Sequence, residues 1–311
     1  MVVRQKAPAK VNLSLLVGPV GGDGYHPLFT VFVPIALHDD LVFELAVRPP
    51  GSGPCPLEVA CAGVSPADNL VTRALRALET ETGWTFSGSV SVTKGIPTGA
   101  GLGGGSSDGA CALAVGARII AEAGGPRLDR ASLASLAVRL GADVPFFLQP
   151  RPALATGVGE RLEPVDLPEL PLVIVSPREV LSTADVYRTY DRVAPAEPSD
   201  AFLARSEAEA AAWRSLCSDG AARRIGRADL LRRIGAQLSN DLEIASMRLL
   251  PVLEIRKAAL RRHGVLEALM SGSGPTVFGL CPSFASASRI AAALTAEGTP
   301  ALAVRSASSP T

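Results

Sequence analysis

One stretch limits what this chain can become: residues 94–109, Lys-Gly-Ile-Pro-Thr-Gly-Ala-Gly-Leu-Gly-Gly-Gly-Ser-Ser-Asp-Gly, with five glycines between Gly99 and Gly105. Before it, Ser89-Val90-Ser91-Val92-Thr93 alternates polar and apolar residues, the pattern of a half-buried strand. After it, the Ala-rich run 110–123 reads as a buried helix. The glycines therefore stand between a strand and a helix N-terminus. Glycine tolerates positive φ and lets a ligand approach the backbone. The first N–H groups of a helix have no partner within it, and the helix dipole favours negative charge there. A phosphate group suits such a place.

Three readings compete. A flexible glycine hinge is the plainest, but it leaves the flanking strand and helix unexplained. A dinucleotide loop is the second, because Gly99, Gly101 and Gly104 satisfy G-x-G-x-x-G. Against it, the preceding strand alternates where a buried parallel strand is usually continuously apolar, and the acidic residue at about the right distance, Glu122, still lies on the helix. The third is a nucleoside-triphosphate loop of a kind other than Walker A, since no G-x-x-x-x-G-K-[ST] occurs. Here Pro97-x-x-x-Gly101-Leu102-Gly103-Gly104-Gly105-Ser106-Ser107 resembles the ATP loop of the GHMP kinases, named for galactokinase, homoserine kinase, mevalonate kinase and phosphomevalonate kinase.

The totals narrow the class. A length of 311 residues is that of two domains, and 47% apolar residues are enough for true cores. Acidic and basic residues balance at 30 each, so no net field draws in nucleic acid or an anionic membrane, and neither is an expected partner. The five cysteines, Cys55, Cys61, Cys111, Cys217 and Cys281, are odd in number and form no C-x-x-C, which indicates neither a disulfide framework nor a zinc site. His26, His38 and His263 are too scattered for a metal cluster. Met-Val-Val-Arg-Gln-Lys opens the chain without an apolar signal region, and no run of 18 apolar residues occurs, so a reduced, cytoplasmic protein is the expectation.

Periodicity predicts strands at 11–17, 28–37, 41–47 and 57–62, then a helix opened by Asp68-Asn69 with Leu70, Ala74, Leu75 and Leu78 on its apolar face. A helix over 129–140 ends at Gly141, and Pro145 biases Val144 toward an extended shape. Beyond 160 the reading gives a tight turn over 155–160, a buried strand at 172–176 and a helix capped by Ser182 or Thr183. Then come a surface linker at 194–199, helices at 201–216, 228–238 and 251–263, a second glycine turn at 271–276, a strand at 277–280, a helix at 285–296 and a strand near 301–304. Alternation of strands and helices in this half fits a small α+β layer structure.

Further motifs sharpen the resemblance. Pro8-Ala9-Lys10-Val11-Asn12-Leu13, Asp23-Gly24-Tyr25-His26, Gly141-Ala142-Asp143-Val144-Pro145, Gly157-x-Gly159-Glu160, Asn240-Asp241-Leu242-Glu243 and Ser271-Gly272-Ser273-Gly274 stand in the order of one branch of the superfamily. That branch phosphorylates the 2-hydroxyl of a cytidine-diphosphate-bearing methylerythritol in the non-mevalonate isoprenoid pathway. The resemblance implies an α+β fold of two domains, a ribosomal-protein-S5-like half over about 1–160 and a ferredoxin-like half over about 161–311. It implies ATP and Mg²⁺, with Lys94, Pro97, Thr98, Gly99, Ala100, Gly101, Leu102, Gly103, Gly104, Gly105, Ser106 and Ser107 on the nucleotide and Ser106 a candidate metal ligand. Lys10 and Asp143 become the catalytic pair, cation and proton acceptor. Asn12, Tyr25, His26, Phe32, Thr183 and Tyr187 become the acceptor site, with Tyr25 and Tyr187 bracketing the cytosine. Taken without the resemblance, Lys10 is a surface lysine, Asp143 a capping or surface aspartate and the tyrosines core residues. One departure stands near the nucleobase: Ala184 occupies a position where the family often has proline. Two other readings remain at this stage, a sibling kinase such as homoserine or mevalonate kinase, and a catalytically silent member that binds its ligand as a sensor.

Overall fold

The structure, a computed structural model, describes residues 1–311 except 23, 54, 66–67, 177–178, 196, 222–223 and 308–311. Asp23 of the Asp-Gly-Tyr-His motif and Ala196 of the expected linker lie outside the described residues. In chain order the elements are β1 (Val2–Val17), β2 (Leu28–Arg48), β3 (Leu57–Cys61), α1 (Leu70–Thr82), β4 (Thr85–Thr93), α2 (Gly104–Glu122), α3 (Arg130–Leu140), α4 (Val144–Leu148), β5 (Ala153–Thr156), β6 (Arg161–Pro164) and β7 (Pro171–Val175). There follow α5 (Thr183–Val193), α6 (Ser199–Ala221), α7 (Arg227–Gln237), β8 (Ser239–Asn240), α8 (Glu243–Leu249), α9 (Val252–Arg262), β9 (Glu267–Met270), β10 (Val277–Leu280), α10 (Phe284–Ala296) and β11 (Ala301–Arg305).

Most expected elements are present, and the differences have local causes. The runs 28–37 and 41–47 join into the single strand β2. The polar residues between them are tolerated because Asp39, fully buried, is met by Lys94 Nζ and by the N–H groups of Gly95 and Ile96. Helix α2 begins at Gly104, so the last glycines of the loop are helical and Gly103, at φ 71°, is its N-cap. Val144 is helical rather than extended: Pro145 falls in the first turn of α4, where its missing N–H would have had no helical partner. Asn69 caps α1 by accepting from Val71 N at 2.9 Å, and Gly83 ends it at φ 74°.

The chain forms two compact units, and β1 and β2 contribute to both. The first comprises residues 1–9, 37–98 and 103–150. In it β4 pairs antiparallel with β2 from Asp40↔Thr93 to Arg48↔Thr85, and parallel with β3. Helices α1 and α2 pack closely at Gly116, where a Cβ would lie 2.6 Å from Leu78 Cδ1 and 3.1 Å from Phe86 Cζ.

The second unit comprises residues 10–36, 99–102 and 151–311. Here β2 pairs with β5 through Thr30↔Ala155, β5 and β6 form a hairpin, and β1 meets β8 at Ser14↔Ser239. A separate antiparallel sheet has the order β11-β7-β10-β9. Its strands taken in sequence stand 4-1-3-2, the ferredoxin-like arrangement expected of this half. Leu15, Val17, Val175, Val186, Leu253, Leu260, Val277 and Leu294 share its core. The motif-poor middle is helical: Glu209 on α6 accepts from Ser14 Oγ at 2.9 Å, from Trp213 Nε1 at 3.0 Å and from Gln237 Nε2 at 2.6 Å, fastening α6 and α7 to β1. No helix among the described residues is long and apolar enough to cross a membrane.

Candidate active site

The predicted site residues divide between the two units, and the division runs through the glycine loop itself, at Leu102/Gly103.

In the second unit, Lys10 is only 3% exposed, so it is no surface lysine. Its ammonium donates to Asn12 Oδ1 at 2.7 Å and lies 5.4 Å from the centroid of the Phe32 ring, within range of a cation–π attraction. Asn12 Nδ2 donates to Thr30 Oγ1 at 2.8 Å, and that hydroxyl donates to Ser14 O at 2.6 Å. This chain fixes the Asn12 amide with its oxygen toward the cation. The backbone N–H of Lys10 donates to Leu102 O at 2.9 Å, tying the glycine loop to β1.

The second glycine turn grips the same loop. Ser271 Oγ donates to Gly101 O at 3.1 Å and Thr276 N to Ala100 O at 3.3 Å. Gly101 sits at φ 74°, and a Cβ there would fall 2.4 Å from Ser271 O. The Asn-Asp-Leu-Glu motif explains how the turn is held. Asn240 Nδ2 donates to both Met270 O and Gly272 O at 2.8 Å; Glu243 accepts from Met270 N and Lys257 Nζ; Asp241 accepts from Val17 N and Arg205.

Of the expected acceptor residues, Thr183 and Tyr187 stand on α5 and His26 packs against Tyr187, whereas Asn12 and Phe32 lie beside Lys10. His26 Nδ1 is 2.8 Å from Gly18 O, which requires Nδ1 to carry the proton. Its Nε2 lies 3.3 Å from Asp191 Oδ1 and its ring 5.2 Å from that of Tyr187. Thr183 Oγ1 and Ser273 Oγ are 2.9 Å apart. Tyr25 is 65% exposed, whereas Tyr187 is half-buried against the core. Tyr190 is structural: its hydroxyl donates to Val17 O at 3.2 Å, and burial pushes its pKa up to about 12.

In the first unit, Lys94 is clamped between two carboxylates, Asp39 Oδ2 at 2.5 Å and Asp108 Oδ2 at 2.9 Å. Burial works against the Lys94 ammonium, but Asp108 and Asp39 outweigh it and raise its pKa. Burial pushes the Asp108 carboxyl above the usual carboxylate range, with Lys94 opposing. Neither aspartate was assigned a role by the sequence reading. Asp39 sits mid-strand between two apolar runs, and only its burial betrays it. Asp108 stands on α2 four residues after Gly104, fourteen after Lys94, and had no motif to mark it.

The first-turn N–H groups of Gly104, Gly105 and Ser106 lie ahead of the helical hydrogen-bond ladder and point out of the helix end. Ser107 differs: its N–H is spent on Gly103 O at 2.9 Å. Asp143 precedes α4 with an αR backbone, and its carboxylate does not cap that helix, so it is no capping aspartate.

A helix end with outward N–H groups behind a glycine loop suits a phosphate group. The class is defined by two family models, "GHMP kinases N terminal domain" over residues 69–150 and "GHMP kinases C terminal" over 220–299. Among similar proteins, a 4-diphosphocytidyl-2-C-methyl-D-erythritol kinase of Anaeromyxobacter dehalogenans is 40% identical over 280 residues, 89% of this chain and 80% of the relative. The same-named protein of Pelotomaculum thermopropionicum is 40% identical over 294 residues, covering 94% of this chain and 93% of its own. A crystal structure of 4-(cytidine 5'-diphospho)-2C-methyl-D-erythritol kinase matches with TM-score 0.72 and 35% identity over 99% of this chain and all of that one. The homoserine kinase of Cytophaga hutchinsonii, TM-score 0.68 at 18% identity, shares the fold. The chain belongs to the 4-diphosphocytidyl-2-C-methyl-D-erythritol kinase family of the GHMP kinases.

Proposed function

We propose that this chain transfers the γ-phosphoryl group of ATP to the 2-hydroxyl of 4-diphosphocytidyl-2-C-methyl-D-erythritol, in the cytoplasm, as a step of the non-mevalonate isoprenoid route. The observation that carries the reading is the 40% identity, over most of both chains, to kinases named for that acceptor.

The residues divide the work by their chemistry. The loop Pro97, Thr98, Gly99, Ala100, Gly101, Leu102, Gly103, Gly104 and Gly105 gives the phosphates a close backbone approach, and the free N–H groups of Gly104, Gly105 and Ser106 donate to them. Lys94, held by two carboxylates, steadies the start of the loop. Asp143 accepts the proton of the attacking hydroxyl, whose oxygen forms the new O–P bond as the β–γ bridging bond breaks to release ADP. Lys10 offsets the charge that gathers on the transferring group. On the acceptor side, Asn12 and Phe32 set the position of Lys10. Thr183 and Tyr187 line the acceptor, Tyr25 and Tyr187 stack on cytosine, and His26 supplies a hydrogen bond to the base edge.

Mg²⁺ would neutralise charge on the nucleotide phosphates. Among the described residues no group of three or more His, Cys, Asp or Glu could hold a metal ion. The Ser106 hydroxyl, in the first turn of α2 behind the loop, would be the chain's own contribution to holding the ion.

The test is ADP release with three acceptors: 4-diphosphocytidyl-2-C-methyl-D-erythritol, homoserine and mevalonate. Turnover confined to the first supports the reading. Preference for either of the others makes the chain a sibling kinase, and no turnover with any makes it a silent member.

A further inference from the structure

Beside α2, wholly within the first unit, runs a groove of about 360 Å³ between the start of β1, one face of α2 and the end of α4. It is not part of the loop just described. Its walls are apolar, with Ala7, Val115 and Phe147 all buried. Two cations, Lys6 and Arg118, stand on its lining. Both are weakly engaged: Lys6 lies 4.0 Å from Asp40 and Arg118 3.9 Å from Glu122, each pair largely solvent-exposed. Exposed pairs of that kind contribute little, so both cations are available to a ligand.

The second observation lies at the opposite end of the helix face. Ser107, 2% exposed, also lines the groove, and its hydroxyl is buried without a hydrogen-bond partner among the described residues. A buried hydroxyl with no partner is costly and is usually answered by a ligand or water. Its own amide is committed to Gly103 O, which leaves the hydroxyl as the polar group of Ser107 still to be answered. Serine changes χ1 rotamer readily, which brings the hydroxyl to an occupant. Ser107 and Arg118 are eleven residues apart on α2, about 16 Å along its axis at 1.5 Å per residue. The arginine side chain reaches back toward the helix N-terminus and shortens that span.

We propose that this groove binds an elongated amphipathic anion. The anionic head lies between Lys6 and Arg118, the apolar body on Val115 and Phe147, and a hydrogen-bonding group at the far end meets Ser107. This rests on the first unit alone and stands whether or not the acceptor assignment holds.

The probes are ω-hydroxydecanoate, decanoate, which lacks the far hydroxyl, and decanediol, which lacks the charge. Binding is read by calorimetry on the full chain without nucleotide. The expected order is ω-hydroxydecanoate tightest, with each deletion weakening binding about fivefold, the size of one net hydrogen bond or exposed charge contact. Lys6→Gln with Arg118→Gln should remove the advantage of the carboxylate. Ser107→Ala should make decanoate and ω-hydroxydecanoate equal. Ala114→Phe, at an exposed position on the same helix face, should block all three while circular dichroism stays that of the parent.

The proposal is overturned by absence of binding, by equal binding of decanediol, or by binding that survives Ala114→Phe.

Discussion

Replacing Gly101 by alanine tests how far the glycine loop depends on its backbone. Gly101 has φ 74°, a left-handed conformation that costs an L residue about 1–2 kcal/mol. The added Cβ would also lie 2.4 Å from Ser271 O and 2.7 Å from Gly274 O, where ordinary contact begins near 3.4 Å. Both obstacles are backbone atoms of the second glycine turn, which Asn240 holds, so neither can swing aside as a side chain would. Overpacking of this kind costs about 1–3 kcal/mol. The two terms together give about 2–5 kcal/mol, or a fall in melting temperature of about 3–8 °C for a chain of this size. Gly105→Ala is the control. Its Cβ would meet only Leu70 Cδ1, at 3.9 Å, at a helical position where alanine is favoured by about 0.5–1 kcal/mol. That variant should melt no lower than the parent, and a loss of ATP affinity in it would then report phosphate against the backbone. Thermal unfolding by circular dichroism and ATP titration by calorimetry read both quantities. A Gly101→Ala protein that melts with the parent would refute the reasoning.

Asp143→Asn keeps the shape and removes the proton acceptor, so turnover should fall by about 10²-fold or more with folding intact; near-normal turnover would take Asp143 out of the mechanism. Lys10→Ala should lower kcat far more than it raises the KM for ATP, and the reverse split would make Lys10 a nucleotide anchor. Asp39→Asn breaks a buried pair with Lys94 and should destabilise the chain by about 3–5 kcal/mol in denaturant titration; a small effect would mean that Asp108 alone suffices for Lys94. Tyr25→Ala should weaken the cytidine-bearing acceptor by about 5- to 150-fold, the equivalent of 1–3 kcal/mol of stacking, without lowering the melting temperature of a chain in which Tyr25 is already exposed.

The sequence was most legible where one residue type has one physical use. The positive φ of Gly99, Gly101 and Gly103, the Asn69 cap and the apolar face of α1 follow from local chemistry. It was least legible where the reason for a residue lies far along the chain. Asp39 looks like an interruption between two strands until Lys94, fifty-five positions away, is seen to pair with it. Asn240 stands in a legible motif, but the carbonyls of Met270 and Gly272 that its amide holds lie thirty or more positions away. Pro145 misled for the opposite reason: its steric effect on Val144 is real, but it is overridden once both fall in the first turn of α4. Motif resemblance found Lys10, and only the structure shows that a lysine so deeply buried is positioned by the relay Asn12–Thr30–Ser14.

The interleaving of the two units has a bearing on synthesis. Leu15 and Val17 belong to a core that also contains Val277 and Leu294. At about 5–20 residues per second, the last of those partners emerges roughly 14–55 s after Val17. The first unit, by contrast, has all its segments once residue 150 is made. A nascent chain therefore carries the apolar end of β1 unsheltered for most of its translation, and a slow ribosome or a scarcity of chaperone endangers the second unit before the first.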